Sequence, residues 1–355
     1  MGCCDKPFTL EPDEPLGLPT EVSRRGLLKG VAAAAGTAAT LAGGATPAGA
    51  QGKRVKLAFC GQLLCVVPYE VARANGHFAK EGLDVELVYT RGGNAAMQAL
   101  VGGAVDYAAT SLDVALQAYG RGADIRRFAT TGRLPLFAAV TAPGRAGEIG
   151  RIEDLAGRTV GVSALGNADH ALMLFLLRRA SVDPAKVRFA TMGTNLLEAV
   201  RQGQIDVGLV QEPALTLIER AGGRVLVNGM DIKDAERFLG GAYEFMGVAV
   251  RTPEIPARRE EMEKIARALG AALPTLQTLP PEDLLKALPR ELTAGADTKE
   301  IGESLARHRA SLYPTAVTID LGSSRRVADS LKVAGLLKDD VDPTNLFETS
   351  IAGAG

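Results

Sequence analysis

The stretch "QALVGGAVDYA" (Gln98–Ala108) returns one hundred residues later as "EAVRQGQIDVG" (Glu198–Gly208). Each copy holds a helix end, a glycine (Gly103, Gly203), a β-branched residue, an aspartate (Asp106, Asp206) and a run suited to a strand. A glycine in that place ends a helix in the left-handed conformation, so each copy reads as a helix turning directly into a strand. Two such units at equal spacing, inside matching series, predict two similar lobes.

The flanking sequence continues the rhythm. "VKLAFC" (55–60), "DVELVYT" (84–90), "VDYAATS" (105–111) and "IRRFATT" (125–131) read as strands separated by helical patterns, among them "PYEVARANGHFAKEG" (68–82). After Pro143-Gly144 the alternation restarts with "RTVGVSA", "VRFATMG", "IDVGLVQ" and "RVLVNG". Strands alternating with helices of this length predict an α/β chain of parallel βαβ units. From Pro256 to about Leu337 the pattern is mostly helical and broken by prolines. The expected boundaries are residues 54–138 for the first lobe, 139–245 for the second, and 246–355 for a return strand and C-terminal helices. Such lobes, joined by crossing strands, set strand ends and helix N-termini face to face across a cleft. Backbone N–H groups and positive helix ends there suit a small, often anionic, ligand.

The bulk composition fits. Of 355 residues, 46% are hydrophobic and 23% charged, with a net charge of -1. Nothing is basic enough to suggest nucleic acid. Trp is absent and aromatics make up 5%, so any cage of stacked rings would be sparse; Tyr69, Phe137, Tyr243 and Phe245 are the rings considered for it. At the N-terminus, "SRRGLLKG" (Ser23–Gly30) precedes the small-residue apolar run "VAAAAGTAATLAGGA" and a cleavage-like "TPAGA" with Ala48 and Ala50. Residues 1–50 are therefore expected to be a twin-arginine (Tat) export signal, with a periplasmic mature protein. Cys3 and Cys4 lie within that segment.

"ANGHFAKEGLDVELV", "GGNAAMQALVGGAVDYAATS", "IEDLAGRTVGVSALG", "LRRASVDPAKVRF" and "EAVRQGQIDVGLVQEP" together resemble the nitrate/sulfonate/taurine and thiamine-precursor type of periplasmic solute-binding protein of ABC importers. The resemblance runs from about Val55 to at least Arg251. It implies the type 2 periplasmic-binding-protein fold, two βαβ lobes around a cleft with a helical C-terminal segment. It also implies a monomer without a cofactor that performs no chemistry, captures a small-molecule solute by lobe closure, and meets permease and ATPase subunits. The expected solute is a small anion, sulfonate-like first and nitrate or bicarbonate second. The alternatives are a pyrimidine or thiamine-precursor heterocycle, or an enzyme on the same fold. The effector domain of a transcription regulator would need a helix-turn-helix at one end.

Members of that family gather ligand from loops after strand ends, which carries over positions and not identities. The candidates are Gln62, Leu64 and Cys65, then Asn94, then Thr110 and Ser111, with Arg133 near the crossing. On the second lobe they are Asn167, His170, Thr194, Asn195 and Glu212. Thr110, Ser111 and Asn167 have helix capping as an alternative role. Arg133 would suit a sulfonate or carboxylate as a bidentate fork, and together with Glu212 it would suit a zwitterion.

"FCGQLLCVVPYEVA" (Phe59–Ala72) holds Cys60 and Cys65, the two cysteines outside the first fifty residues. No Cys/His cluster accompanies this C-x4-C, so a metal site is not expected. A disulfide requires a sharp turn between strand and helix. The other reading is a pair of small apolar thiols, Cys65 on the pocket floor and Cys60 ending a buried strand.

Overall fold

The structure is a computed structural model and describes residues 54–293 and 297–353; the export-signal reading of residues 1–50 lies outside these. Its strands are β1 (Val55–Cys60), β2 (Val85–Thr90), β3 (Tyr107–Ser111), β4 (Ile125–Thr130) and β5 (Ala138–Thr141). They continue with β6 (Thr159–Val162), β7 (Arg188–Thr191), β8 (Val207–Val210), β9 (Val225–Asn228) and β10 (Met246–Arg251). Two five-stranded sheets result, ordered β2-β1-β3-β10-β4 and β7-β6-β8-β5-β9.

The echoed segments repeat each other bond for bond. Gly103 and Gly203 adopt φ of 76° and 69°. The next residues, Ala104 and Gln204, donate back to the carbonyls of Ala99 and Ala199, each at 2.9 Å. Asp106 then clamps β1: its N–H reaches the Lys56 carbonyl at 3.0 Å, and its Oδ2 accepts the Lys56 N–H at 2.8 Å. Asp206 holds Thr159 of β6 with the same two bonds, at 3.0 and 2.8 Å. Each aspartate offers its Oδ1 to an arginine, Arg258 and Arg145 respectively. The repeat is a strand-registering device used twice.

The parallel reading holds for β1, β2 and β3 and for β6, β7 and β8. It does not hold for the crossing strands. β10 runs antiparallel between β3 and β4, and β5 runs antiparallel between β8 and β9. A strand arriving from the opposite lobe enters at the cleft end of the sheet and so points the other way. The buried Arg127 on β4 fixes this junction. Its guanidinium donates to the Thr110 carbonyl at 3.1 Å, the Phe245 carbonyl at 2.6 Å and Glu244 Oε1 at 3.2 Å. Burial penalises that charge, and the paired carboxylate with two backbone acceptors offsets part of the penalty.

The helix after β1 starts earlier than its sequence suggests. Pro68 reads as a first-turn residue, yet the helix spans Leu63–Ala74 with Pro68 inside it. Proline brings no N–H for the Leu64 carbonyl, which would be orphaned in the core. The Tyr313 hydroxyl donates to it at 2.7 Å instead. Leu63, Leu64, Val66 and Val67 are all buried, which favours helix through this segment. Among the described residues no helix is long and apolar enough to cross a membrane.

Candidate functional site

Four helices begin at the cleft. Gln62 precedes Leu63–Ala74, Gly92 precedes Gly93–Val101, Ser111 precedes Leu112–Gly120, and Asn167 precedes Ala168–Arg179. The first turn of a helix leaves N–H groups without intrahelical partners and carries a partial positive charge. Between these ends lies a small cavity, about 20 Å³ measured as the space open to the centre of a water molecule. The first lobe lines it with Cys60, Gln62, Cys65, Gly93, Ser111 and Val114, and the return strand adds Met246. The second lobe contributes Ser163, Asn167 and Ala168. Phe137 and Phe245 come from the two crossings, with ring centroids 6.1 Å apart and planes at 77°.

The lobes touch over this cavity. Gln211, at the end of β8, donates through Nε2 to Gln62 Oε1 at 2.6 Å and lies 3.7 Å from Cys65 Sγ. Asn94 N–H reaches Asn167 Oδ1 at 3.2 Å, and Gln117 Nε2 reaches the Gly166 carbonyl at 3.1 Å. Close approach also explains a glycine. A Cβ on Gly92 would stand 2.6 Å from Asn167 Nδ2. This is a closed arrangement.

No Lys, Arg, Asp, Glu or His lines the cavity. Ser163 is already committed, donating to Asp169 Oδ1 at 2.9 Å and accepting from Asn167 Nδ2 at 3.0 Å. Asp169 lies just behind it, and burial pushes its carboxyl up to about 6. The Cys65 thiol is held well above its ordinary range by the adjoining Cys60 thiol and by burial. Donors at this site are neutral dipoles, and its walls are largely apolar.

Four sequence-derived candidates, Gln62, Cys65, Ser111 and Asn167, converge on the cavity. Asn94 sits at the rim through its bond to Asn167. The others lie elsewhere. Leu64 is buried beneath the site, its carbonyl on Tyr313. Thr110 is buried in β3, its hydroxyl on the Ser111 carbonyl at 3.3 Å. Arg133 is exposed and caps the helix Thr298–Leu312, donating to the Ala310 carbonyl at 2.8 Å. His170 accepts from Gly166 N–H at 3.1 Å and packs edge-on against Phe189. Burial lowers its pKa. Thr194 and Asn195 are exposed in a turn.

Glu212 is buried and used internally. It accepts the Thr216 N–H and hydroxyl, each at 3.1 Å, and lies 3.3 Å from His308 Nε2. With Arg133 and Glu212 both away from the cavity, the zwitterion reading loses its basis.

Of the four aromatic candidates, Phe137 and Phe245 line the cavity. Tyr69 and Tyr243 are buried on Thr131 and Asp113. The sequence reading missed Ser163, Val114, Met246 and Gln211 altogether. Ser163 and Gln211 stand directly after β6 and β8, so the strand-end rule applied without exception would have found both. Cys60 and Cys65 are free thiols, and both face the cavity.

No curated protein sequence matches the chain. Solved structures of similar shape do. A protein from Bordetella bronchiseptica RB50 is 23% identical with a TM-score of 0.74, covering 85% of this chain and 94% of its own. The alkanesulfonate-binding protein SsuA of Xanthomonas axonopodis pv. citri, bound to MOPS, is 17% identical with a TM-score of 0.67, covering 83% and 98%. The periplasmic nitrate-binding protein NrtA of Synechocystis PCC 6803 is 16% identical with a TM-score of 0.57, covering 70% and 69%. The shared architecture is the periplasmic-binding-protein fold. A family model described as NMT1/THI5 like matches residues 66–271, more than half of the sequence, and the chain belongs to that family.

Proposed function

We propose that the protein is the exported solute-binding subunit of an ABC importer and captures a small oxyanion or short-chain sulfonate by lobe closure. The observation that carries this reading is the meeting of four helix N-termini on one small cavity without a charged side chain. Positive helix ends favour a compact anionic head without a counter-ion. Val114, Phe137, Phe245 and Met246 then suit a short apolar tail, which ranks a sulfonate ahead of nitrate or bicarbonate. Similarity of shape to an alkanesulfonate-binding and a nitrate-binding protein supports the same class. The steeply inclined Phe137 and Phe245 rings do not form parallel walls for a flat heterocycle. Residues 1–50 serve export in this reading, and permease and ATPase subunits are the partners.

Thermal unfolding with methanesulfonate, taurine, nitrate, bicarbonate and a hydroxymethylpyrimidine tests it. A ligand bound only to the folded form at a hundredfold excess over Kd adds about 2.7 kcal/mol. A shift with the pyrimidine and none with any anion would replace this reading by the heterocycle one.

A further inference from the structure

Cys60 and Cys65 are the chemically distinctive pair of this cavity. β1 ends at Cys60 and the next helix begins at Leu63, and the Cys65 N–H folds back onto the Gln62 carbonyl at 3.0 Å. Both thiols line this one cavity, and the Cys60 thiol adjoins that of Cys65. Among the described residues no third His, Cys, Asp or Glu completes a metal set around them. Cys65 Sγ also stands 3.7 Å from Gln211 Nε2, which reaches over from the second lobe. We propose that Cys60 and Cys65 form a reversible disulfide by exchange with a low-molecular-weight disulfide, and that this bond loosens the closed arrangement of the lobes.

The exchange balances without another reactant. One thiol loses its proton, and its sulfur attacks the external disulfide, forming a mixed disulfide and releasing one small thiol. The second cysteine, once deprotonated, attacks the mixed disulfide and releases the other. One S–S bond breaks and one forms. Two protons and two electrons pass from the cysteines to the small molecule, which leaves as two thiols. Both cysteines are buried, at 7% and 4% exposure, so the reagent must enter when the lobes part. The new bond draws Cys65 Sγ toward β1 and away from Gln211, removing one of the contacts across the cleft. The inference rests on the cavity wall and not on which solute fills it.

The test uses the full chain, reduced, desalted and incubated with oxidised glutathione. It is then quenched in acid, alkylated and digested with trypsin. Cleavage after Lys56 and Arg73 places both thiols in one peptide, apart from Cys3 and Cys4. The expected product is that peptide, unalkylated and two hydrogens lighter than the dithiol, restored by dithiothreitol. Full alkylation at every glutathione concentration, or two glutathione adducts, would overturn the disulfide. Cys60→Ser and Cys65→Ser should each trap a single glutathione adduct. If neither variant folds, the wild-type peptide still decides. Small-angle scattering reads the second half of the proposal: the oxidised protein should have the larger radius of gyration, and identical profiles would refute the loosening.

Discussion

Gln211 and Gln62, 149 residues apart, meet side chain to side chain across the cleft at 2.6 Å. The bond is a contact of the closed form alone, because the two residues stand on different lobes. Gln211→Ala should therefore weaken capture more than it weakens the fold. The expected loss is about 1 kcal/mol of closure, roughly a fivefold rise in Kd, with little change in the unfolding midpoint of the solute-free protein. Titration calorimetry with methanesulfonate beside urea unfolding measures both. An equal drop in both would make Gln211 a structural residue.

Gly92 permits the closest approach of the lobes. Gly92→Ala puts a methyl 2.6 Å from Asn167 Nδ2, at a backbone φ of 169° that any residue adopts. The cost therefore falls on closure. Affinity should fall by about tenfold, with scattering showing a wider molecule. Unchanged affinity would mean that Asn167 swings aside freely.

Tyr313→Phe should cost about 1–2 kcal/mol of stability, because the Leu64 carbonyl next to Pro68 loses its donor. Pro68→Ala in that background should recover part of it by restoring an N–H. A double-mutant cycle that shows no coupling would sink this account of the proline.

Burial pushes the Asp113 carboxyl up to about 6 from its ordinary 3.8, against the Tyr243 hydroxyl bond. A raised folded-state pKa contributes stability that is present below the unfolded value and is lost as pH rises through the folded one. Asp113→Asn keeps an acceptor for Tyr243 and should remove that loss. It should stabilise the protein at neutral pH by up to about 3 kcal/mol and by almost nothing near pH 4. A benefit of the same size at both pH values would point to packing instead.

Replacing Arg24 and Arg25 with lysine should leave unprocessed precursor in the cytoplasm if the twin arginines direct export. Mature protein outside the membrane at the wild-type level would reject the Tat reading.

What could be read from the sequence was local. Gly103, Asp106 and their echoes announce a helix stop and a strand clamp within a few residues, so the lobes were legible. Gln62, Cys65, Ser111 and Asn167 stand between a strand end and the first turn of a helix, the positions from which the family resemblance implies ligand contact. Arg133 and Glu212 misled because their partners are remote. The carbonyl of Ala310 and the ring of His308 come from a helix far along the chain; only Thr216, four residues after Glu212 and bonded to it twice, offered a local sign that this carboxylate is used internally. Pro68 misled for the same reason, its compensation being Tyr313.

The place of β10 has a consequence for the newborn chain. Because β10 lies between β3 and β4, the first sheet stays incomplete until residue 251 has left the ribosome. The second sheet needs only residues 138–228. During synthesis the β1–β4 segments must therefore wait with an unfilled gap, open to wrong partners. The lobe that comes second in the sequence is the first that can finish its sheet.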